Sequence, residues 1–170
     1  MRRKILLILL LCSIILVTVG VWYLIQNKVG SDDLTEAQDF SLIDLNGNNF
    51  SLSLFQGKVV VIDFMATWCG PCRLQMPYYE IVWEEFGDKI VIISIDIDVI
   101  ESEDTLRLFA QEYPYATWIW ARDTDYISAA YKITNIPTTV IIDQEGYIRF
   151  THIGVTGSLM LIQEIEELLM

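Results

Sequence analysis

Cys69 and Cys72 are the residues of this chain whose type and spacing most directly offer chemistry. They flank two small residues in the run Trp68-Cys69-Gly70-Pro71-Cys72, a spacing that lets one sulfur close on the other and reopen. The reaction open to such a pair is thiol–disulfide exchange, in which a thiolate attacks a disulfide sulfur through a mixed disulfide. A static bridge and half of a zinc site are the competing uses. Zinc would need two further Cys or His ligands, and His152 is the only histidine. A static bridge gives no reason for the five-residue block.

The flanking elements give each sulfur a role. "KVVVIDFMAT" reads as a strand buried on both faces, and Gly70 to Phe86 as a helix with Leu74, Tyr78, Ile81 and Phe86 at helical spacing. Cys69 therefore stands over the unpaired N–H groups of a helix start, which favour its thiolate. It is the expected nucleophile. Cys72, one turn further in and less exposed, is expected to resolve the mixed disulfide. Pro71 suits the first turn, where its missing N–H has no partner to lose. Trp68 covers one side of the site.

Around this junction the chain alternates between strand and helix patterns. "FSLIDLNGNNFSLSLF" is a hairpin signal about Asn46-Gly47-Asn48. "KIVIISIDID" is a second buried strand, and Ser102 is the expected cap of an amphipathic helix over "SEDTLRLFAQEY". "ATWIWA" reads as a short strand, "TDYISAAYKI" as a short helix, "TTVIIDQEGYIRFTHIG" as two strands and "SLMLIQEIEELLM" as a closing helix. The expected fold class is an α/β three-layer sandwich with a mixed central sheet.

The N-terminus is of another kind. Arg2, Arg3 and Lys4 precede an uncharged run from Ile5 to Ile25, long enough at ~1.5 Å per residue to cross a bilayer core of roughly 30 Å. A cleaved signal has a shorter apolar region and a small-x-small site; here Val21-Trp22-Tyr23-Leu24 follows, and its aromatics suit a membrane interface. The expected organisation is a cytoplasmic stub over 1–4, a transmembrane anchor over 5–25, a polar linker over 26–39 and a folded domain over 40–170. The basic stub orients the chain with its N-terminus in the cytoplasm and the domain outside. Cys12 lies in the span, and the "LLLC" before and at it lacks the small residues of a lipoprotein signal. Without Arg2, Arg3 and Lys4, 8 of the 11 basic residues remain against 23 acidic ones, a formal balance of −15. No basic patch is available for a polyanion, which argues against nucleic acid as a partner.

"VVIDFMAT" followed by "WCGPC" resembles the thioredoxin active site, and the resemblance covers about Phe40 to Met170. "ITNIPTT" resembles the loop that carries the family's cis-proline, which implies that Pro137 packs against the disulfide. Pro77 resembles the proline inside the family's active-site helix. The anchor, the opening hairpin and the extra helix and strand over 102–121 resemble the membrane-tethered, TlpA/ResA-like branch. The resemblance implies a substrate-binding surface made of Trp68, Gly70, Pro71, Ile136 and Pro137. Asp63, six residues before Cys69, matches the family's buried aspartate. Its carboxyl in an apolar strand has the charged form disfavoured, so it can take and return the proton of Cys72 near working pH. Gln75 stands where tethered cytochrome c-maturation relatives often carry a glutamate; it can hydrogen-bond but cannot move a proton.

Smaller signals get plainer readings. His152 reads as a surface residue, Trp118 and Trp120 as packing residues on one side of a strand, and Arg73 as a first-turn arginine that is either solvated or tunes the cysteines. The function expected is a thiol–disulfide oxidoreductase acting on protein thiols and disulfides outside the membrane, with no cofactor beyond the Cys69–Cys72 pair and no metal. The Gly-Pro core resembles that of reducing thioredoxins, near ~−270 mV, so a reductase fed by a membrane electron donor is expected. A copper-handling protein using Cys69, Cys72 and His152 is the alternative, though its relatives prefer three residues between the cysteines. A thiol peroxidase would want a Pro-x-x-x-Thr-x-x-Cys context, which is absent.

Overall fold

In the computed structural model, Thr18 and residues 35 to 170 are described. The expected anchor over 5–25, apart from Thr18, and the linker as far as residue 34 lie outside the described residues. Among the described residues no helix is long and apolar enough to cross a membrane. Thr35–Met170 form a compact unit.

Strand β1 (Thr35–Glu36) opens the unit, and β2 (Ser41–Ile43) and β3 (Asn49–Ser51) form the expected hairpin. Asp44 closes its turn by accepting the N–H groups of Asn46 and Asn48, both at 2.8 Å, and Gly47 takes the positive φ of 84° that the turn requires. Then follow β4 (Val59–Met65), helix α1 (Gly70–Phe86), β5 (Ile90–Asp96), α2 (Glu103–Gln111), β6 (Ile119–Arg122), α3 (Ile127–Ala130), β7 (Thr138–Ile142), β8 (Tyr147–Ile153) and α4 (Ser158–Leu169). Ser102 caps α2, its hydroxyl accepting the Thr105 N–H at 3.1 Å.

The main sheet runs β1-β8-β7-β4-β5-β6. β4 is parallel to β5 and antiparallel to β7, so the sheet is mixed as expected. β4 is buried at every residue because it has a strand on each side and a packed layer on each face. Its alternate residues feed two cores: Val59, Val61 and Met65 pack with α1, α2 and α4, and Val60, Ile62 and Phe64 with the hairpin and α3. Asp63 falls on the first of these faces.

Two expectations are corrected. The folded unit begins before residue 40: Thr35 and Glu36 pair with Ile148 and Tyr147 on β8, and Ala37 is buried, so residues 35–39 are not linker. Helix α1 has the expected bounds but a different buried face. Leu74, Tyr78 and Ile81 are exposed, and Cys72, Gln75, Met76, Tyr79, Val82 and Phe86 are buried. Both stripes are apolar enough to read as a core face, and contact with the sheet and α4 selects one of them.

Candidate active site

The site lies where β4 ends and α1 begins. The backbone leaves the strand at Met65, and Cys69 becomes the residue that caps the helix. Its Sγ accepts the N–H of Cys72 at 3.2 Å, so a helix-start donor does point at this sulfur. Cys69 and Cys72 are joined in a disulfide with an S–S distance of 2.07 Å. Cys69 keeps 3% of its surface and Cys72 none, the order expected for an attacking and a resolving sulfur. Pro71 occupies the first helical turn, and both it and Gly70 are exposed. Pro77 lies inside α1, which continues past it to Phe86.

The residues before Cys69 are pinned from outside the motif. Glu101, in the loop after β5, accepts the Thr67 N–H at 3.0 Å and also the Thr67 hydroxyl. Asp98 accepts the indole N–H of Trp68 at 2.7 Å. The backbone N–H of Ile100, and then Trp68, hold the Asp98 carboxyl below its ordinary range, so it stays ionised. Trp68 is nonetheless 66% exposed and forms one wall of an apolar groove of about 340 Å³ with Ala66, Ile97, Val99, Ile133 and Ile136. Ile136 is half-buried against the core cluster that contains both cysteines. It precedes Pro137 through a cis peptide bond, as the resemblance implied, and Pro137 is buried with its carbonyl accepting the Gly154 N–H at 2.8 Å.

Asp63 is fully buried on the face of β4 that shares its core with Cys72. Ser94, its register partner on β5, donates its hydroxyl to Oδ2 at 3.2 Å, and Oδ1 has no partner. Burial pushes this carboxyl up to about 7, against the Ser94 hydrogen bond and the nearby Tyr79 hydroxyl, which favour the charged form. Tyr79 shares the buried face of α1 with Cys72, two turns on, and its hydroxyl lies 2.7 Å from that of Thr139. Asp63 is thus a buried carboxyl raised toward neutrality. Asp96 is a second one, also pushed up to about 7 by burial first and by Glu101, with the Asp98 N–H opposing.

Gln75 is buried, and Thr156 satisfies both ends of its amide: Nε2 donates to the Thr156 carbonyl at 3.0 Å, and Oε1 accepts the Thr156 N–H at 2.7 Å. That exchange needs a donor and an acceptor together, which an ionised glutamate cannot supply. Arg73 is held by α2 and the residue after it. Its guanidinium lies 4.6 Å above the Phe109 ring and 2.6 Å from Glu112. His152 is half-buried, with Nε2 2.7 Å from Glu164, which corrects its reading as a surface residue. It is not gathered with the cysteines: among the described residues no three His, Cys, Asp or Glu side chains are grouped to hold a metal ion. Ser94, Tyr79, Asp98 and Glu101 went unread in the sequence. Ser94 alone carried a signal, a polar residue amid the apolar run of β5.

Comparison with known proteins agrees with this geometry. The AhpC/TSA family model matches residues 34–151. The chain is 38% identical over 130 residues to the thioredoxin-like protein YneN of Bacillus subtilis, covering 76% of each chain. It is 32% identical over 133 residues to the thiol-disulfide oxidoreductase ResA of the same organism, covering 73% of this chain and 72% of ResA. Among solved structures, a candidate thiol:disulfide interchange protein DsbE of Chlorobium tepidum superposes with a TM-score of 0.74 at 27% identity, over 82% of this chain and 99% of that one. The exposed lipoprotein thioredoxin Etrx1 of Streptococcus pneumoniae gives a TM-score of 0.69, also at 27% identity, over 77% and 100%. The disulfide at a capped helix start, the cis-proline loop and these relatives agree: the chain belongs to the AhpC/TSA family and is a TlpA/ResA-like thiol–disulfide oxidoreductase of thioredoxin fold.

Proposed function

We propose that this oxidoreductase works outside the cytoplasmic membrane, tethered by residues 5–25, and reduces disulfides in protein substrates. One observation carries the catalytic reading: a Cys69–Cys72 disulfide at a helix start, with a buried carboxyl near neutrality on the same core face as Cys72. In the dithiol form, the Cys69 thiolate attacks one sulfur of a substrate disulfide. A mixed disulfide forms, and the first substrate sulfur leaves as thiolate. Asp63, ionised, takes the proton of Cys72; Cys72 then attacks the Cys69 sulfur and expels the second substrate thiolate. Two electrons have passed to the substrate, and the enzyme is left with its own disulfide. A membrane dithiol donor restores it by the same exchange in reverse, and no other cofactor is required.

The groove beside Trp68 and the exposed Val99 and Ile100 support a protein substrate, because apolar surface next to a reacting sulfur suits an extended peptide. The basic stub before an uncharged 21-residue run supports the tether and its orientation. The Gly-Pro core supports the reducing direction. Trapping tests the roles of the sulfurs. In membranes of cells making the full chain, Cys72→Ser should accumulate mixed disulfides with substrates and Cys69→Ser almost none; the reverse pattern would overturn the assignment. A reduction potential of the full chain well above ~−270 mV would replace the reductase by an oxidase or isomerase.

A further inference from the structure

Trp118 stands just before β6, in the stretch over 102–121 that goes beyond a minimal thioredoxin, and is buried. Its indole Nε1 donates to the Ser94 hydroxyl at 3.0 Å, and that hydroxyl lies 3.2 Å from Asp63 Oδ2. Its ring meets that of Tyr79 on α1 nearly at right angles, centroid to centroid 6.3 Å. An indole N–H can only donate, so Ser94 must accept from Trp118 and keeps its single proton for another partner. The partner in reach is the carboxylate.

We propose that Trp118 and Ser94 are positioning residues for Asp63, the indole N–H fixing the serine as acceptor and so committing its proton to the carboxylate. The proposal rests on the reading of Asp63 as the base for Cys72. Its consequence is a tuned base: without this donor, the buried carboxylate would have only the Tyr79 hydroxyl to favour its charged form. The titratable groups that share this core with Asp63 are Tyr79 and Cys72 on α1, Cys69 before it, and Tyr113 and Tyr115 after α2. Asp96 lies two residues beyond Ser94 on β5, and His152, paired with Glu164, stands across from Thr139. Ser94 from β5, Thr139 from β7 and Trp118 carry no charge. Burial raises the pH at which the base becomes available, and the Ser94 hydrogen bond acts against that rise.

The test measures two quantities on the full chain in detergent: titration of the Asp63 carboxyl by carbon NMR in the oxidised protein, and the pH profile of mixed-disulfide resolution. Ser94→Ala should raise both midpoints by about one pH unit, the usual scale for a hydrogen bond to a charged group. Ser94→Thr, which keeps the hydroxyl, should restore them. Trp118→Phe should raise them by about half as much, because the freed hydroxyl can turn elsewhere. In the Ser94→Ala background Trp118→Phe should add nothing, since the indole acts only through the serine. Additive shifts, or an unmoved midpoint in either single variant, would overturn the proposal. If Trp118→Phe does not fold, benzothienylalanine at this position keeps the ring shape without the N–H and gives the same comparison. The NMR titration does not depend on turnover, so a failure of the oxidoreductase reading remains distinguishable from a failure of the relay.

Discussion

Asp63→Asn separates the energetic cost of the buried carboxyl from its use. The native carboxyl is pushed from 3.8 up to about 7 by burial. Between those values the unfolded chain ionises while the folded one holds its proton. The contribution of this group to stability is therefore fully present below pH 3.8, falls as pH rises and levels off above 7. At ~1.4 kcal/mol per unit the window is worth about 4 kcal/mol. Asparagine does not titrate, so the variant and the native protein should be about equally stable at pH 4. At pH 8 the variant should be more stable by about 2–4 kcal/mol, reduced from the full window by the new amide N–H₂ beside an Oδ1 position that has no partner. Urea unfolding of the oxidised proteins, in which Cys69 and Cys72 do not titrate, reads this as a midpoint gap that opens with pH at constant m. The same variant should resolve mixed disulfides about 10²-fold more slowly near pH 7, with the defect shrinking at high pH as hydroxide replaces the base. A stability gap that does not change with pH would mean that Asp63 titrates as an ordinary carboxyl. The account of β4 would then fail.

Gln75→Glu should place a carboxylate against the Thr156 carbonyl; the expected loss is about 2–4 kcal/mol at pH 8 and less at pH 4, where the protonated acid can donate, read by unfolding midpoints at both pH values. Glu101→Ala removes both acceptors of Thr67, so it should cost about 1–3 kcal/mol and slow attack by Cys69 on a model disulfide; an unchanged rate would show that the loop needs no pin. Met76→Ala, on the buried face of α1, should cost about 2–5 kcal/mol, and Leu74→Ala, on the exposed face, under about 1 kcal/mol. Equal losses would mean that the helix is covered on both sides.

The sequence alone was sufficient for what is local and periodic. β4 and β5 read as buried strands because short runs so rich in Val and Ile, bounded by polar residues, suit a strand covered on both faces. α1 and α2 read correctly because Pro71 and Ser102 mark their starts. The redox pair was legible because four consecutive residues build it. What tertiary structure decided is every relation across distance. β1 is two exposed polar residues with no strand signal, held by the backbone of β8 more than a hundred residues away. The buried stripe of α1 was settled by what packs on it, since Leu74 and Met76 are equally apolar in the sequence. The surroundings of Asp63 come from four elements, Ser94 on β5, Tyr79 on α1, Thr139 on β7 and Trp118 before β6, and the pins on Thr67 and Trp68 cross thirty residues and more. Spacing along a chain specifies which groups can react. The donors and the dielectric that set when they react belong to neighbours only folding supplies.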